Sequence, residues 1–150
     1  MKSAFGLPRV LIVGCLCASL LTLGCSRSQV SYAPVEGIVT VDGKPIGRAE
    51  VVLSCDETTA RPRPTSRGVT DNSGHFVLRS LTPDKRLIDG AVVGKHRVVV
   101  TTRILDLDAR GNTRVAREEL LGKEYTEGEA LTANVTSAGI EELRLDLKSK

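Results

Sequence analysis

The sequence predicts an all-β fold, an antiparallel β-sandwich of about seven short strands. Three observations lead to this prediction. Aromatic residues make up only 3% of the 150 residues, so Val, Leu, Ile and Ala must form the core, and this composition favours strands. Apolar and polar residues alternate in several short segments. Clusters of Gly, Pro, Asp and Asn separate these segments and are typical of turns.

The first two predicted strands flank a tight turn. Apolar residues alternate with other residues in VEGIVTV (35–41) and again in RAEVVLSC (48–55). Between these segments, Asp42 and Gly43 are residue types that a two-residue turn requires. We therefore expect the two segments to pair as a hairpin.

The segment VTDNSGHFVL (69–78) has two interpretations, a calcium loop or a turn between strands. A calcium loop requires carboxylates at alternate positions and a bidentate Glu at position twelve. Here only Asp71 meets that requirement, and Thr82 occupies the twelfth position. A turn requires Asp or Asn at its start and a Gly that can adopt positive φ. We interpret Asp71 and Gly74 as structural turn residues and expect no metal site.

The second half of the chain predicts one long strand, an uncertain connection and a last hairpin. KHRVVVTTRI (95–104) is the strongest strand pattern, and His96 lies on its apolar side as a structural histidine. Alternation stops between residues 105 and 129, where TRVAREELLGKEY predicts either a short helix ended by Gly122 or an irregular loop. ALTANVTSAGIEELRLDL (130–147) predicts a further hairpin.

The first 25 residues differ from the rest and predict a secretory signal peptide. Lys2 and Arg9 accompany an apolar run of about 15 residues, which is shorter than the roughly 20 that a membrane-spanning helix needs. A retained anchor helix is the alternative that this length disfavours. The run ends in LTLGC, which resembles the lipobox of bacterial lipoproteins. That resemblance implies removal of residues 1–24 and attachment of lipid to the thiol of Cys25, with stable anchoring by two or three acyl chains.

This interpretation assigns a fate to each of the four cysteines. IVGC, which ends at Cys15, also matches a lipobox, but it lies inside the apolar run, so we prefer Cys25. Cys15 and Cys17 leave with the signal peptide, and Cys55 then has no partner for a disulfide. Cys55 is in phase with apolar neighbours and is expected to be a buried, inert thiol. Residues 25–34 are polar and aperiodic, which predicts a tether.

Three motifs follow one another between Val35 and Leu147. They are G-x-V-x-x-D-G-K-P from Gly37, T-D-x-x-G-x-F from Thr70, and G-K-H at the start of the long strand. Together they resemble the transthyretin-like, or carboxypeptidase regulatory-like, domains of small bacterial lipoproteins. The resemblance implies a seven-stranded Greek-key β-sandwich over residues 35–149 that acts as an accessory, adhesive or structural module. Val93 and Gly122 depart from the pattern, since Pro is common at both positions.

The resemblance does not imply catalysis. Enzymes of the broader transthyretin architecture hydrolyse 5-hydroxyisourate with a His, Arg, His cluster and a C-terminal Tyr-Arg-Gly-Ser. This chain ends in DLKSK and contains only His75 and His96. An atypical hydrolase or metal-dependent enzyme is the alternative, and it would require both histidines and a carboxylate to converge.

The sequence therefore predicts a non-catalytic module that is exported and anchored to the cell membrane or outer membrane through Cys25. We expect it to bind or scaffold envelope proteins or glycans, with Asp56–Arg67 and Leu105–Glu129 as contact regions. No cofactor is expected. The net charge of +3 is small and dispersed, so nucleic-acid binding is poorly supported and no nucleic-acid partner is expected. A carbohydrate-binding module is a further alternative, disfavoured because Tyr32 and Tyr125 are the only tyrosines for ring stacking.

Overall fold

The computed structural model describes residues 30–56 and 63–150, and nearly all regular structure in them is β-strand. The predicted all-β class is confirmed. The predicted signal peptide, residues 1–24, lies outside the described residues. The short helix α1 spans Lys123–Thr126. The strands are β1 (Tyr32–Ala33), β2 (Val35–Val41), β3 (Lys44–Pro45), β4 (Glu50–Cys55), β5 (Thr65–Val69), β6 (His75–Val77), β7 (Arg79–Leu81), β8 (Leu87–Asp89), β9 (Ala91–Val92), β10 (Gly94–Thr101), β11 (Ile104–Leu107), β12 (Thr113–Arg117), β13 (Thr132–Val135) and β14 (Ile140–Leu147).

These strands form two larger sheets and two small ones. The first larger sheet has the order β13-β10-β4-β5-β7-β8, and all of its neighbours are antiparallel. In the second, β2 pairs with β14 on one side and with β3 and β6 on the other. The two-stranded sheets are β1-β9 and β11-β12.

One hydrophobic core contains side chains from both larger sheets. Val39 on β2, Leu53 on β4 and Val98 on β10 are fully buried, and the residues next to them in each strand are more exposed. The predicted alternation in these strands is therefore confirmed. Burying one such side chain stabilises the fold by about 1.5–3 kcal/mol.

Gly37 in β2 allows a close approach between strands. A Cβ atom at this position would lie 2.2 Å from the carbonyl oxygen of Leu143 and 2.8 Å from Cζ of Phe76. Phe76 is the largest fully buried side chain of the described residues. The missing side chain of Gly37 thus makes room for the aromatic ring that fills this part of the core.

The predicted hairpin between residues 35–41 and 48–55 is wrong. Asp42 and Gly43 do form a turn, but the strand that returns along β2 is the two-residue β3. β4 then crosses to the other larger sheet, where it pairs with β10 and β5. Residues 46–49 are long enough to carry the chain between sheets, and the alternating pattern of β4 fits either sheet equally well.

The predicted C-terminal hairpin is also wrong. β13 pairs with β10, whereas β14 runs parallel to β2, with Leu145 opposite Val39. A bridge between Thr136 and Gly139 closes the turn between them but does not extend into a ladder. The last long strand therefore joins the first long strand, and this pairing is the one parallel contact among the described strands.

Sequence analysis predicted a short helix or an irregular loop between residues 105 and 129. Most of that segment forms neither of them. β11 and β12 form an antiparallel hairpin, in which Leu105 faces Val115. A register shift between Ile104 and Leu105 leaves Ala116 as the additional residue of a bulge. Gly122 precedes the four-residue helix α1 and does not end a helix as predicted.

β1 lies inside the segment predicted to be a tether. Tyr32 and Ala33 pair with Val92 and Ala91, and Ala33 is only 2% exposed. The prediction that residues 25–34 form a tether is therefore wrong at Tyr32 and Ala33. Sequence analysis missed this strand because two residues are too few to show a strand periodicity. Within the described residues, no helix is long and apolar enough to span a bilayer.

Candidate functional site

The two ends of the longest central strand, β10, carry different features. At its first residue, β9 and β1 lie close by, and the amide of Val93 donates to the carbonyl of Ser31 at 2.9 Å. We call this the proximal end, defined by residues 31–34 and 90–94. β10 has eight residues, which span about 26 Å at 3.3 Å per residue. The hairpin β11-β12 follows its last residue, and we call this hairpin, residues 104–117, the distal hairpin.

The predicted lipidation site, Cys25, lies outside the described residues. The described chain begins five residues later, at Val30, and enters the proximal end. Of the predicted contact region Asp56–Arg67, residues 57–62 also lie outside the description, whereas Thr65–Val69 form β5. Asp56 is bonded to the carbonyl of Lys95 through its amide, close to the proximal end.

One face of the distal hairpin is apolar and exposed to solvent. Leu105 and Val115 are cross-strand partners, and Leu107 lies two residues further along the same face. Their exposed fractions are 56%, 40% and 69%. The opposite face is polar, where Asp106 forms an ion pair of 2.9 Å with Arg48. Single exposed apolar residues are ordinary on a protein surface, whereas these three lie next to one another.

Glu119 joins the distal hairpin to the end of β10. Its carboxylate accepts hydrogen bonds from the amides of Thr102, Arg103 and Leu121 at 3.1 to 3.2 Å. It also accepts one from the hydroxyl of Thr102 at 2.5 Å. The same hydroxyl accepts from the amide of Leu120 at 2.9 Å. Several otherwise unpaired backbone donors thus depend on one side chain.

Arg117 holds the hairpin to the neighbouring loop. Its guanidinium donates to three backbone carbonyls, those of Thr102 at 2.5 Å, Gly47 at 2.8 Å and Arg48 at 2.9 Å. A planar guanidinium can make all three bonds at once because its donors form a fixed fork. Sequence analysis missed Arg117 and Glu119 because it treated this segment as a helix or loop. The alternations in Leu105-Asp106-Leu107 and in Thr113-Arg114-Val115 were the available signals, and each is too short to be decisive.

Burial and hydrogen bonding affect the two groups differently. Partial burial by itself raises the pKa of Glu119. The hydrogen bonds from Thr102 and from backbone amides together lower it by more than burial raises it, so its pKa lies below the ordinary value. Partial burial lowers the pKa of Arg117, with a smaller contribution from the nearby charge of Arg48. At neutral pH both side chains are charged and the hairpin stem is bonded.

The turn of residues 71–74 is organised by the Asp71 carboxylate. Its Oδ1 atom accepts from the amide and the hydroxyl of Ser73 at 2.8 and 2.6 Å, and from the amide of His75 at 3.0 Å. The hydrogen bond from Ser73 is the largest cause of the lowered pKa of Asp71. Gly74 has φ +78°, which favours glycine. One oxygen of Asp71 therefore serves the backbone of its own turn, as in an Asx turn.

Asp42 and Gly43 occupy the left-handed region, with φ of 51° and 77°. Positive φ at both central residues is the geometry of a type I′ turn. The carboxylate of Asp42 also accepts from the amide of Ser149 at 3.3 Å. Hydrogen bonding with Ser149 is the first cause of its lowered pKa. This turn therefore connects to the C-terminal end of the chain.

The two histidines lie on different sheets and have different partners. Nε2 of His75, on β6, is 3.5 Å from a carboxylate oxygen of Glu36 at the surface. His96, on β10, is fully buried, and its Nε2 atom is 2.6 Å from the carbonyl of Val92. No three His, Cys, Asp or Glu side chains in residues 30–56 and 63–150 are grouped to hold a metal. The convergence required by the enzyme alternative is not found in this part of the chain.

Two surface depressions are lined by both apolar and charged residues. One, of about 480 Å³, is lined by Arg67, His75 and Arg79 among others. The other, of about 220 Å³, includes Glu36 and Asp89. Both arginines form ion pairs with exposed carboxylates, and such pairs are weak because water screens them. Among the residues lining these depressions, no nucleophile stands beside a base that a third group orients.

Comparisons with known proteins leave the family open. No family model matches the chain, and no curated protein matches it. A 9R-lipoxygenase structure from Cyanothece is similar at 16% identity and a TM-score of 0.36. The match covers 80% of this chain and 16% of the lipoxygenase, so the chain spans about a sixth of that protein. A likeness this low carries no argument about function.

Proposed function

We propose that the chain is a lipid-anchored, extracytoplasmic module that binds or scaffolds envelope proteins or glycans without catalysing a reaction. Its domain would be a seven-stranded Greek-key sandwich of the transthyretin-like, or carboxypeptidase regulatory-like, type. Two larger sheets that share one core support this architecture. Acylated Cys25 would hold the domain at the cell membrane or outer membrane.

The observation that carries this proposal is the separation of the two ends. The chain enters at the proximal end, and the apolar distal hairpin lies at the other end of β10. From Cys25 to Tyr32 there are seven residues, which reach roughly 25 Å when fully extended. A lipid on Cys25 would therefore keep the proximal end near the bilayer and leave the distal hairpin available to other envelope components.

Tethering would supply the mechanism. A module restricted to a layer next to the membrane has a raised effective concentration for partners in the same layer. A small apolar surface such as Leu105, Leu107 and Val115 binds weakly when both partners diffuse freely, since standard protein interfaces bury about 800 Å² per partner. Anchoring would make so small a surface sufficient for binding to a partner in the same layer.

Lipidation is tested first, because the localisation depends on it. Cells that express the wild-type chain, Cys25→Ala or Cys15→Ala are labelled with radioactive palmitate, and the purified proteins are analysed by mass spectrometry. We expect label and a mature N-terminus at Cys25 in the wild type and in Cys15→Ala, and neither in Cys25→Ala. Unchanged labelling of Cys25→Ala would refute the anchor.

The contact surface is tested by site-specific photo-crosslinking in intact cells. A photoreactive amino acid replaces Leu107 in one variant and Leu87 in a matched control, because both leucines are exposed, at 69% and 60%, and Leu87 lies on β8, outside the hairpin. We expect one or a few defined crosslinked products from position 107 and none of these from position 87. Identical products from both positions would contradict a specific role of the distal hairpin.

A further inference from the structure

Cys55 and His96 are direct cross-strand neighbours in the first larger sheet. The amide of Asp56 donates to the carbonyl of Lys95 at 3.0 Å. Hydrogen-bonded and non-hydrogen-bonded pairs alternate along an antiparallel ladder, so the pair Cys55 and His96 is a non-hydrogen-bonded one. In such a pair the Cβ atoms lie on the same face, about 4.5–5.5 Å apart. The two side chains are 2% and 0% exposed, so they share one dry region of the core.

The imidazole of His96 has one bonded and one unbonded nitrogen. A carbonyl oxygen can only accept, so Nε2, at 2.6 Å from the carbonyl of Val92, carries the proton. Nδ1 therefore carries a lone pair. In residues 30–56 and 63–150, it is the one buried side-chain nitrogen or oxygen without a hydrogen-bond partner. A histidine that donates one N–H to a backbone carbonyl and presents the other nitrogen bare has the arrangement of a metal ligand.

We propose that Cys55 and His96 bind one soft monovalent cation of the Cu(I) and Ag(I) class between Sγ and Nδ1. Thiolate is a soft donor and selects such ions. Zinc–thiolate and zinc–imidazole bonds are about 2.0–2.3 Å long, so a bridging ion with similar bond lengths would hold the two atoms about 4 Å apart. Side chains on facing positions of a non-hydrogen-bonded pair can span that separation.

Charge balance determines the class of ion. A thiolate, a neutral imidazole and a monovalent cation sum to zero, and a neutral complex is what a dry core tolerates. A divalent ion would leave one positive charge that no buried acid neutralises. Zinc also requires three or four protein ligands, and the described residues provide no third His, Cys, Asp or Glu at this position.

Binding involves no change of oxidation state. The S–H bond of Cys55 breaks, the sulfur and Nδ1 of His96 each form a bond to the ion, and one proton passes to solvent. Because binding releases a proton, a higher pH favours it. Cys55 is the last residue of β4 and His96 the third residue of β10, so the pair lies near one end of the core, which shortens the path for an entering ion.

The test uses the full chain in detergent, with Cys15, Cys17 and Cys25 replaced by Ser so that Cys55 is the one remaining thiol. Silver ion is the probe, because it does not change oxidation state, in a buffer without chloride. We expect one Ag(I) per chain by calorimetry, a higher Tm, and release of one proton. X-ray absorption at the silver edge should show one sulfur and one nitrogen neighbour.

Variants separate this site from unspecific thiol binding. Cys55→Ser should abolish binding, and His96→Gln should raise Kd by more than about 100-fold, the upper end for loss of a supporting partner. His75→Gln is the matched control and should leave Kd unchanged, and Zn²⁺ should not raise Tm. No binding, an unchanged Kd in His96→Gln, or a shell of sulfur alone would overturn the proposal. The absorption experiment decides the question even if His96→Gln does not fold.

Discussion

The carboxylate of Glu119 is expected to be the largest single polar contribution to the stability of the distal hairpin. Glu119→Ala removes the acceptor for three backbone amides and one hydroxyl. A hydrogen bond to a charged group contributes about 1.5–3 kcal/mol. Because four donors share two oxygens and the group is only half buried, the sum must be discounted. We expect a loss of about 2–4 kcal/mol in the free energy of unfolding.

The assay is reversible urea unfolding followed by circular dichroism, together with a thermal scan. For a domain of this size, each kcal/mol shifts Tm by about 4 °C, so the expected loss lowers Tm by roughly 8–16 °C. Glu118→Ala is the matched control, since Glu118 is the exposed neighbour in the same segment. A change at such a surface position is usually within about 0.5 kcal/mol.

The pH dependence of the same variant gives a second measurement. The pKa of Glu119 is lowered in the folded chain, because hydrogen bonds to the carboxylate outweigh the effect of burial. Its stabilising contribution is therefore complete above the unfolded-state pKa of about 4.3. The contribution is lost as pH falls through the lower folded-state value. The stability difference between wild type and Glu119→Ala should be constant near neutral pH and shrink below about pH 4.

Two results would refute this reasoning. One is a Glu119→Ala variant as stable as Glu118→Ala, which would mean that water replaces the carboxylate without loss. The other is a difference that persists unchanged well below pH 4, which would mean that the charge of Glu119 does not matter.

Three further predictions concern the turn of residues 71–74 and the hairpin stem. Gly74→Ala should cost about 2–4 kcal/mol, since a Cβ at φ +78° would also lie 2.5 Å from the carbonyl of Val39. Gly111→Ala, at φ +81° with open space around it, should cost only about 1–2 kcal/mol, and equal losses in urea unfolding would contradict the steric argument. Asp71→Ala should lower Tm, whereas Asp71→Asn should keep Tm close to the wild-type value because its amide oxygen can still accept the hydrogen bonds. Calcium should change neither Tm in a thermal scan. Arg117→Lys should destabilise by about 1–3 kcal/mol in urea unfolding, because one ammonium cannot reach three carbonyls; a stability equal to that of wild type would show that the fork geometry is dispensable.

Local patterns in the sequence were sufficient for the faces of individual strands. Side chains along a strand point alternately to the two sides, so the apolar set of β2, β4 and β10 follows from spacing alone. The burial of Cys55 and His96 follows in the same way. The turn at Asp71 and Gly74 was also accessible, because its bonds stay within five residues.

Strand partners were not accessible from the sequence. An alternating strand presents the same pattern to any neighbour, so the 35–41 and 48–55 segments could have paired with each other. In the fold they lie in different sheets, and β2 instead adjoins β14, the last long strand. The few residues in each connection permit several routes, and the burial of the common core selects one of them.

The sequence by itself determined the all-β class, the inward faces of the long strands and the residue types of the turns, because each depends on neighbours along the chain. Only the tertiary structure decided the sheet order, the distal hairpin and the roles of Arg117 and Glu119. Both side chains act on backbone groups far away or in another element. That Cys55 and His96 face each other likewise depends on the register between strands. This register is set by contacts between residues that are distant in the sequence.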